Sequence, residues 1–265
     1  MGKPTSDRWA AGDSYDAYMG RWSRMMADAF LDWLDEDEGQ AWLDVGCGTG
    51  ALSAAVLDSA APRSLLGFDP AEPFVAHAQS KLGRAGVRFG IAGADALPLP
   101  DDAVDVTVSA LALNFTPDPA AALAEMARVT RDGGTLAFYV WDYPGGGLGF
   151  LDAFWTAAAA IDPKAADLDE ARRFAFCTKP GLQAICADAG LGTVQIEPLT
   201  IATRFPDFDT FWHPFTLGTG PAPAYVAACD ASMQAQLRDR LARLAGPDGA
   251  LSFDARAWAM RVRLD

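Results

Sequence analysis

The chain has 265 residues, 51% of them hydrophobic and 21% charged, and its 35 acidic against 21 basic side chains give a formal net charge of −14. That length suits one α/β domain with an elaboration, and that balance excludes a largely disordered chain. The acidic surface makes nucleic acid and anionic lipid poor partners. No stretch approaches the roughly 18 apolar residues of a membrane span. Cys47, Cys177, Cys186 and Cys229 form no C-x-x-C pair and have only His77 and His213 to join them, so no zinc set is expected. A cytoplasmic setting with free thiols is the expectation.

The first 39 residues read as an arm. Trp22, Met25, Met26, Phe30, Trp33 and Leu34 recur at helical spacing and predict an amphipathic helix, closed by the acid-rich turn 35–38. Residues 41–45 predict a first strand, and glycines 46, 48 and 50 lead from it into a helix over 51–57. The alternation repeats: strand 64–68, helix 72–82, strand 87–91, a doubly buried strand 104–113, helix 120–130 stopped at Gly133-Gly134, and strand 135–141. Such a beat implies a doubly wound parallel sheet with its ligand at the carboxyl ends of the strands. After Trp141 the beat breaks at Gly145-Gly146-Gly147. Helices near 150–161 and 180–189, a strand near 194–201, an insertion over 204–249 with Met233, Leu237, Leu241 and Leu244 on one helix, and a closing strand 255–264 are expected. Nothing marks a linker, so the organisation is read as a single domain: arm 1–39, cofactor-binding core 40–141, and cap with closing strands 142–265.

The most informative stretch is Asp44-Val45-Gly46-Cys47-Gly48-Thr49-Gly50. With Ala51 it also satisfies G-x-G-x-x-A, so the spacing alone leaves an NAD(P)-dependent oxidoreductase open. Asp44 shifts the balance. A carboxylate two positions before the first glycine would repel a pyrophosphate, whereas S-adenosylmethionine offers an ammonium and a sulfonium. Asp69, 19 residues past Gly50 in Gly67-Phe68-Asp69-Pro70, has two acceptor oxygens for the ribose hydroxyls that either cofactor carries. Asp95, in Ala94-Asp95-Ala96 after the third strand, is placed to accept from an adenine amine. Turn and N-cap duty is the bland alternative for all three acids.

With those residues and Ala127-Arg128-Val129-Thr130-Arg131-Asp132-Gly133-Gly134, the chain resembles the class I S-adenosylmethionine-dependent methyltransferases, most closely the ubiquinone/menaquinone-biosynthesis-like (type 11) branch that acts on small molecules. The resemblance covers residues 40–141 well. It implies a Rossmann-like, mostly parallel seven-stranded sheet whose last strand is antiparallel. Tyr15-Asp16-Ala17-Tyr18-Met19-Gly20-Arg21-Trp22 also looks like the arm that these enzymes fold over the cofactor. Its cluster of two tyrosines, an arginine and a tryptophan suggests Tyr18 lining the methyl end and Arg21 pairing with the carboxylate, with rings that merely anchor the arm as the alternative. The expected cofactor site is completed by Gly46, Cys47, Gly48, Gly50, Pro70, Ala94, Ala96 and Leu111. A noncatalytic S-adenosylmethionine sensor is the alternative from another class.

On the acceptor side, Asn114 is the only asparagine and follows the fourth strand. Residues 138–215 hold 14 of the 28 aromatic side chains, which suits a flat or apolar small-molecule acceptor although most such rings are core. Trp141 and Phe154 are taken from that group as acceptor contacts. His213 could deprotonate a phenol or amine, with a merely packed histidine as its alternative.

Overall fold

Residues 19–218 and 220–265 are described by a computed structural model. The expected alternation appears as β1 (Ala41–Val45), α2 (Ala51–Ser59), β2 (Ser64–Asp69), α3 (Glu72–Leu82), β3 (Val87–Ile91), β4 (Val104–Ala110), α4 (Pro119–Val129) and β5 (Thr130–Trp141), preceded by α1 (Arg21–Leu34). Later come α5 (Gly149–Ala159), α6 (Glu170–Arg173), α7 (Lys179–Asp188), β6 (Gln195–Phe205), α8 (Phe208–Trp212), α9 (Pro221–Ala228), α10 (Ala231–Ala242) and β7 (Leu251–Arg263). The sheet order is β3-β2-β1-β4-β5-β7-β6. Strands β1 to β5 are mutually parallel and β7 runs antiparallel to β5, which is the Rossmann-like arrangement anticipated.

Two compact units are distinguished. The core unit comprises residues 23–142, 176–200 and 256–265 and holds β1 to β5 with part of β6 and of β7. Its centre is apolar on both faces: Leu43, Val106, Val108, Leu136, Phe138 and Val140 are fully buried, each contributing about 1.5–3 kcal/mol. The buried Thr107 is satisfied by Thr130, whose hydroxyl reaches Met126 O at 2.7 Å. Helix α1 buries Met26, Phe30 and Leu34 as its pattern predicted, with the Phe30 ring 4.8 Å from Tyr139. Met25 of the same stripe is 39% exposed. Arg261 terminates the helix by donating to the carbonyls of Trp33 and Leu34 at 3.1 and 3.0 Å.

Several boundaries differ from expectation. Strand β4 ends at Ala110 rather than 113 because Leu111 adopts a left-handed conformation (φ 56°). Gly133-Gly134 does not stop α4. That helix passes directly into β5 at Thr130, and residues 131–134 bulge between the Val104–Thr130 and Val106–Thr135 pairs. Gly133 supplies the positive φ of the bulge, and a side chain at Gly134 would meet Asp105 O and Arg131 O at 2.7 Å. Both closing strands are longer than read.

The second unit comprises the described residues up to 22, with 143–175 and 201–255. It is built on rings: Phe154 stacks on Phe215 at 4.6 Å, while Phe205 is edge-on to Trp22, Phe150 and Phe211. In it Leu237 and Leu241 of α10 are buried, whereas Leu244, expected on the same face, is 49% exposed beyond the helix end.

Candidate functional site

Parallel pairing aligns the carboxyl ends of the core strands. Asp44 stands opposite Gly67 and Val108, and Asp69 opposite Ile91. Asp44 is wholly buried. Its Oδ2 accepts the Ser53 hydroxyl at 2.6 Å, and Oδ1 has no partner among the described residues. Burial pushes its pKa up to about 7, with the nearby Asp69 adding to the rise and the Ser53 hydrogen bonds opposing it. Asp69 is also buried. One oxygen accepts Gly48 N at 3.0 Å and the other Ala71 N at 2.8 Å, leaving each with a further lone pair. Burial raises its pKa, and those two backbone donors oppose the shift. Asp69 thus holds two backbone N–H groups and Asp44 a helix hydroxyl, and neither exhausts its acceptor capacity.

The glycine loop is shaped by positive φ at Gly46, Gly48 and Gly50 (73°, 52° and 92°). Gly46 N and Cys47 N donate to Phe68 O, and Gly50 N to Cys47 O, so the loop is tied to β2 and to itself. The three glycines have different surroundings. A side chain on Gly46 would overlap Ala112, and one on Gly50 would meet Leu82 at 2.7 Å, but one on Gly48 would meet nothing within 4 Å. The open side of the loop is thus at Gly48. Cys47 is buried between these residues, and burial first, then Asp44 and Asp69, push its thiol pKa up, so it is no thiolate.

At the end of β4, Leu111 donates its N–H to Tyr139 O at 2.9 Å while its φ of 56° turns the chain sharply. Ala112 then abuts the glycine loop, and a 3-10 turn over Leu113–Phe115 follows. Asn114 is buried in it with both amide atoms unpartnered among the described residues, and Phe115 is 42% exposed. Ser109 Oγ, likewise buried and without a described partner, lies 4.0 Å from the position a Gly46 Cβ would take.

Ala94 is half-buried, and Asp95 and Ala96 are exposed on the β3–β4 loop. Two residues of α4 whose role the sequence did not disclose hold that loop. Glu125 accepts Leu97 N at 2.8 Å, and Arg128 donates to Leu99 O at 2.9 Å, to Leu97 O at 3.3 Å and to Asp101 at 2.7 Å. Hydrogen bonds to Glu125 and Asp101 raise the Arg128 pKa further. Ser53, Ser109 and Ala112 were also missed; small residues carry no chemical signature until the fold brings them to a carboxylate or a glycine. Ile91, 58% exposed beside Asp69, is a further apolar surface at this edge.

The remaining expected residues are placed as follows. Pro70 is exposed after Asp69. Trp141 is buried at the end of β5, opposite Ala257. In the other unit Phe154 is fully buried among rings, His213 is exposed at the start of a 3-10 turn, and Arg21 lies over the Trp22 ring at 3.8 Å while donating to Arg204 O at 3.2 Å. Tyr18 lies outside the described residues. The ring-rich region is thus spent largely on its own core: Phe150, Phe154, Phe174, Phe205, Phe211 and Phe215 are all buried.

An acid and glycine loop at the end of β1, a second acid at the end of β2 and an antiparallel last strand define a class of nucleoside-cofactor enzymes, and the comparisons say which. The methyltransferase domain family matches residues 43–138. The malonyl-[acyl-carrier protein] O-methyltransferase of Geobacter sulfurreducens is 30% identical over 242 residues, 89% of this chain and 88% of that protein. In fold, the chain is similar to the YcgJ protein of Bacillus subtilis (TM-score 0.57, 17% identity, 92% of this chain and 99% of that one). It is also similar to phosphoethanolamine N-methyltransferase 2 of Haemonchus contortus, solved with phosphomonomethylethanolamine and S-adenosylhomocysteine (TM-score 0.60, 13% identity, 96% and 57%). The chain belongs to the class I S-adenosylmethionine-dependent methyltransferases. Its cofactor is S-adenosylmethionine, which sets aside the oxidoreductase alternative, and it is a methyltransferase, which sets aside the sensor.

Proposed function

We propose that this methyltransferase acts on a small molecule with an apolar or aromatic body and a neutral or cationic reacting end. The observation that carries the reading is the charge of the strand-end loops: residues 44–50, 69–71, 91–96 and 110–116 bear Asp44, Asp69 and Asp95 and no Lys, Arg or His. An anionic acceptor brought to that edge meets repulsion from the core unit. Arg256, at the same end of β5 as Asp142, is ion-paired with it, Nε to Oδ2 at 2.7 Å. The exposed Phe115 ring offers apolar surface beside Asn114.

In this reading the open side of the glycine loop at Gly48 receives the cofactor, the free acceptor atom Asp44 Oδ1 faces its ammonium, and Asp69 takes the ribose hydroxyls on its remaining lone pairs. Asp95 meets the adenine amine. When bound, the cofactor supplies an electrophilic methyl group on a sulfonium, whose departure leaves a neutral thioether. The chain's own task is then to align the acceptor and exclude water. A cytoplasmic setting belongs to the same reading, as does the absence of nucleic acid from its partners.

A second reading is favoured by the Geobacter relative, whose name specifies a malonyl group on a carrier protein: the acceptor is then a carboxylate. Transfer of radiolabelled methyl to a phenol and amine panel, set against a malonyl thioester, separates the two. Label on the neutral or cationic acceptors is expected; label confined to the malonyl thioester would replace the first reading with the second.

A further inference from the structure

Asn114 carries more than its position suggests. It is 6% exposed, and among the described residues neither Oδ1 nor Nδ2 has a hydrogen-bond partner. An amide in that state has given up water for nothing, and a ligand with complementary groups recovers the loss. The surrounding turn is built for a ligand as well. Leu111 holds a left-handed conformation that L side chains rarely adopt, Ala112 abuts Gly46 of the cofactor loop, and Phe115 exposes its ring. Three consecutive features thus share one turn: a contact to the loop that binds the donor, a buried unsatisfied amide, and an exposed apolar surface.

We propose that Asn114 selects the acceptor by requiring a nucleophile that carries a proton: its Oδ1 accepts from a hydroxyl or a neutral amine N–H, and its Nδ2 donates to an oxygen beside it. This rests on the first reading above and narrows it to acceptors that react in their neutral form, hydroxyl or amino compounds with an adjacent acceptor atom, as in a vicinal diol, a catechol or an amino alcohol. A carboxylate satisfies Nδ2 but sets only lone pairs against Oδ1, so it leaves the amide half unpaired. Holding the proton on Oδ1 turns a lone pair of the nucleophile away from the amide and toward the methyl carbon. That lone pair forms the new carbon–oxygen or carbon–nitrogen bond, the carbon–sulfur bond breaks with its electron pair going to sulfur, and the acceptor's proton passes to water. The amide itself neither gains nor loses a proton.

Because the chain has a single asparagine, labelling with 15N-asparagine gives one side-chain NH2 pair in an NMR spectrum. The protein is saturated with S-adenosylhomocysteine, with calorimetry confirming occupancy, and then titrated separately with catechol, ethanolamine and malonate. The expected result is a saturable shift of the Asn114 NH2 pair with catechol or ethanolamine and none with malonate. Full shift on S-adenosylhomocysteine alone assigns the amide to the cofactor, no shift with any probe leaves it to a buried water, and a shift with malonate alone reverses the selection; each overturns the proposal. Asn114→Leu, which removes both unsatisfied groups at similar volume, should keep S-adenosylhomocysteine affinity within about twofold and raise the acceptor KM at least tenfold. Failure of the broader reading looks different: wild-type protein would then label the malonyl thioester alone. Neutral acceptors labelled equally well by wild type and Asn114→Leu would spare that reading and reject the role of Asn114.

Discussion

A side chain on Gly46 would clash with the Cβ of Ala112, so the first glycine of the loop is the point where the ends of β1 and β4 close on each other. Gly48, two residues on, faces open space. Gly46→Ala is therefore expected to destabilise the fold by about 2 kcal/mol or more, through both the overlap and the positive φ. Gly48→Val should fold with a loss of about 1–2 kcal/mol from its left-handed backbone alone, yet fail to bind S-adenosylhomocysteine. Thermal unfolding and calorimetry on the two variants check this; normal binding by Gly48→Val would make the loop a mere turn.

Asp69 holds two backbone N–H groups, and the proposed site gives it the ribose as well. Asp69→Ala removes the acceptors of Gly48 N and Ala71 N as well as any bond to the ribose, with about 1.5–3 kcal/mol expected for hydrogen bonds to a charged group. Asp69→Asn keeps one acceptor oxygen and should lose less. Unchanged cofactor affinity in Asp69→Ala would remove the residue from the site.

Titration of Asp44 gives a pH dependence of definite sign. Its pKa in the folded chain, about 7, lies above the unfolded value near 3.8, so folding takes up a proton between them. The ligand-free protein should be most stabilised by this group below about pH 4 and should lose that contribution as pH rises toward 7. Asp69, also shifted upward, acts in the same direction. A cofactor ammonium against Oδ1 favours the ionised form, so binding at pH 6 releases a proton and affinity rises with pH until about 7. Calorimetry of S-adenosylhomocysteine in two buffers of different ionisation enthalpy reads that proton directly, and identical heats in both would break the link.

Legibility of the fold followed chemistry. The acids at 44 and 69 and the glycines between 46 and 50 stand out in the sequence, and the fold gathers them at the ends of β1 and β2, whereas Asp95 is exposed on the β3–β4 loop. Gly133-Gly134 is ambiguous in the sequence, since a bulge and a helix end both call for positive φ, and only the pairing of Val104 and Val106 with β5 tells them apart. The rings of the second unit showed the same ambiguity: their number suggested an acceptor surface, but whether a ring is covered depends on partners such as Phe215 for Phe154, 61 positions away. Glu125 and Arg128, three residues apart on α4, show their role only where the β3–β4 loop folds onto them.

That pair makes its own prediction. Arg128 ties down the carbonyls of Leu97 and Leu99 and so fixes the loop that carries Asp95. Arg128→Ala should raise hydrogen exchange over residues 93–101 and weaken cofactor binding a few-fold through the looser loop, with little change in the strands. Faster exchange at unchanged affinity would detach Asp95 from the adenine.

The last prediction concerns Arg21. Its guanidinium lies 3.8 Å over the Trp22 ring and 5.5 Å from that of Phe205, and one of its five N–H groups reaches Arg204 O. Burial lowers its pKa, but an arginine remains charged throughout the working range. Among the described residues the bond to Arg204 O is the fork's one hydrogen bond, and a planar carboxylate is the partner that its remaining donors suit. If Arg21 takes the carboxylate of the methionine moiety, Arg21→Ala should lower S-adenosylhomocysteine affinity at least tenfold, Arg21→Lys should restore only part of it because an ammonium cannot form the fork, and bound S-adenosylhomocysteine should slow exchange at residues 19–24. A role confined to stacking predicts instead a stability loss of about 0.5–1 kcal/mol in Arg21→Ala, with cofactor affinity and exchange both unmoved. That pattern would leave the arm purely structural.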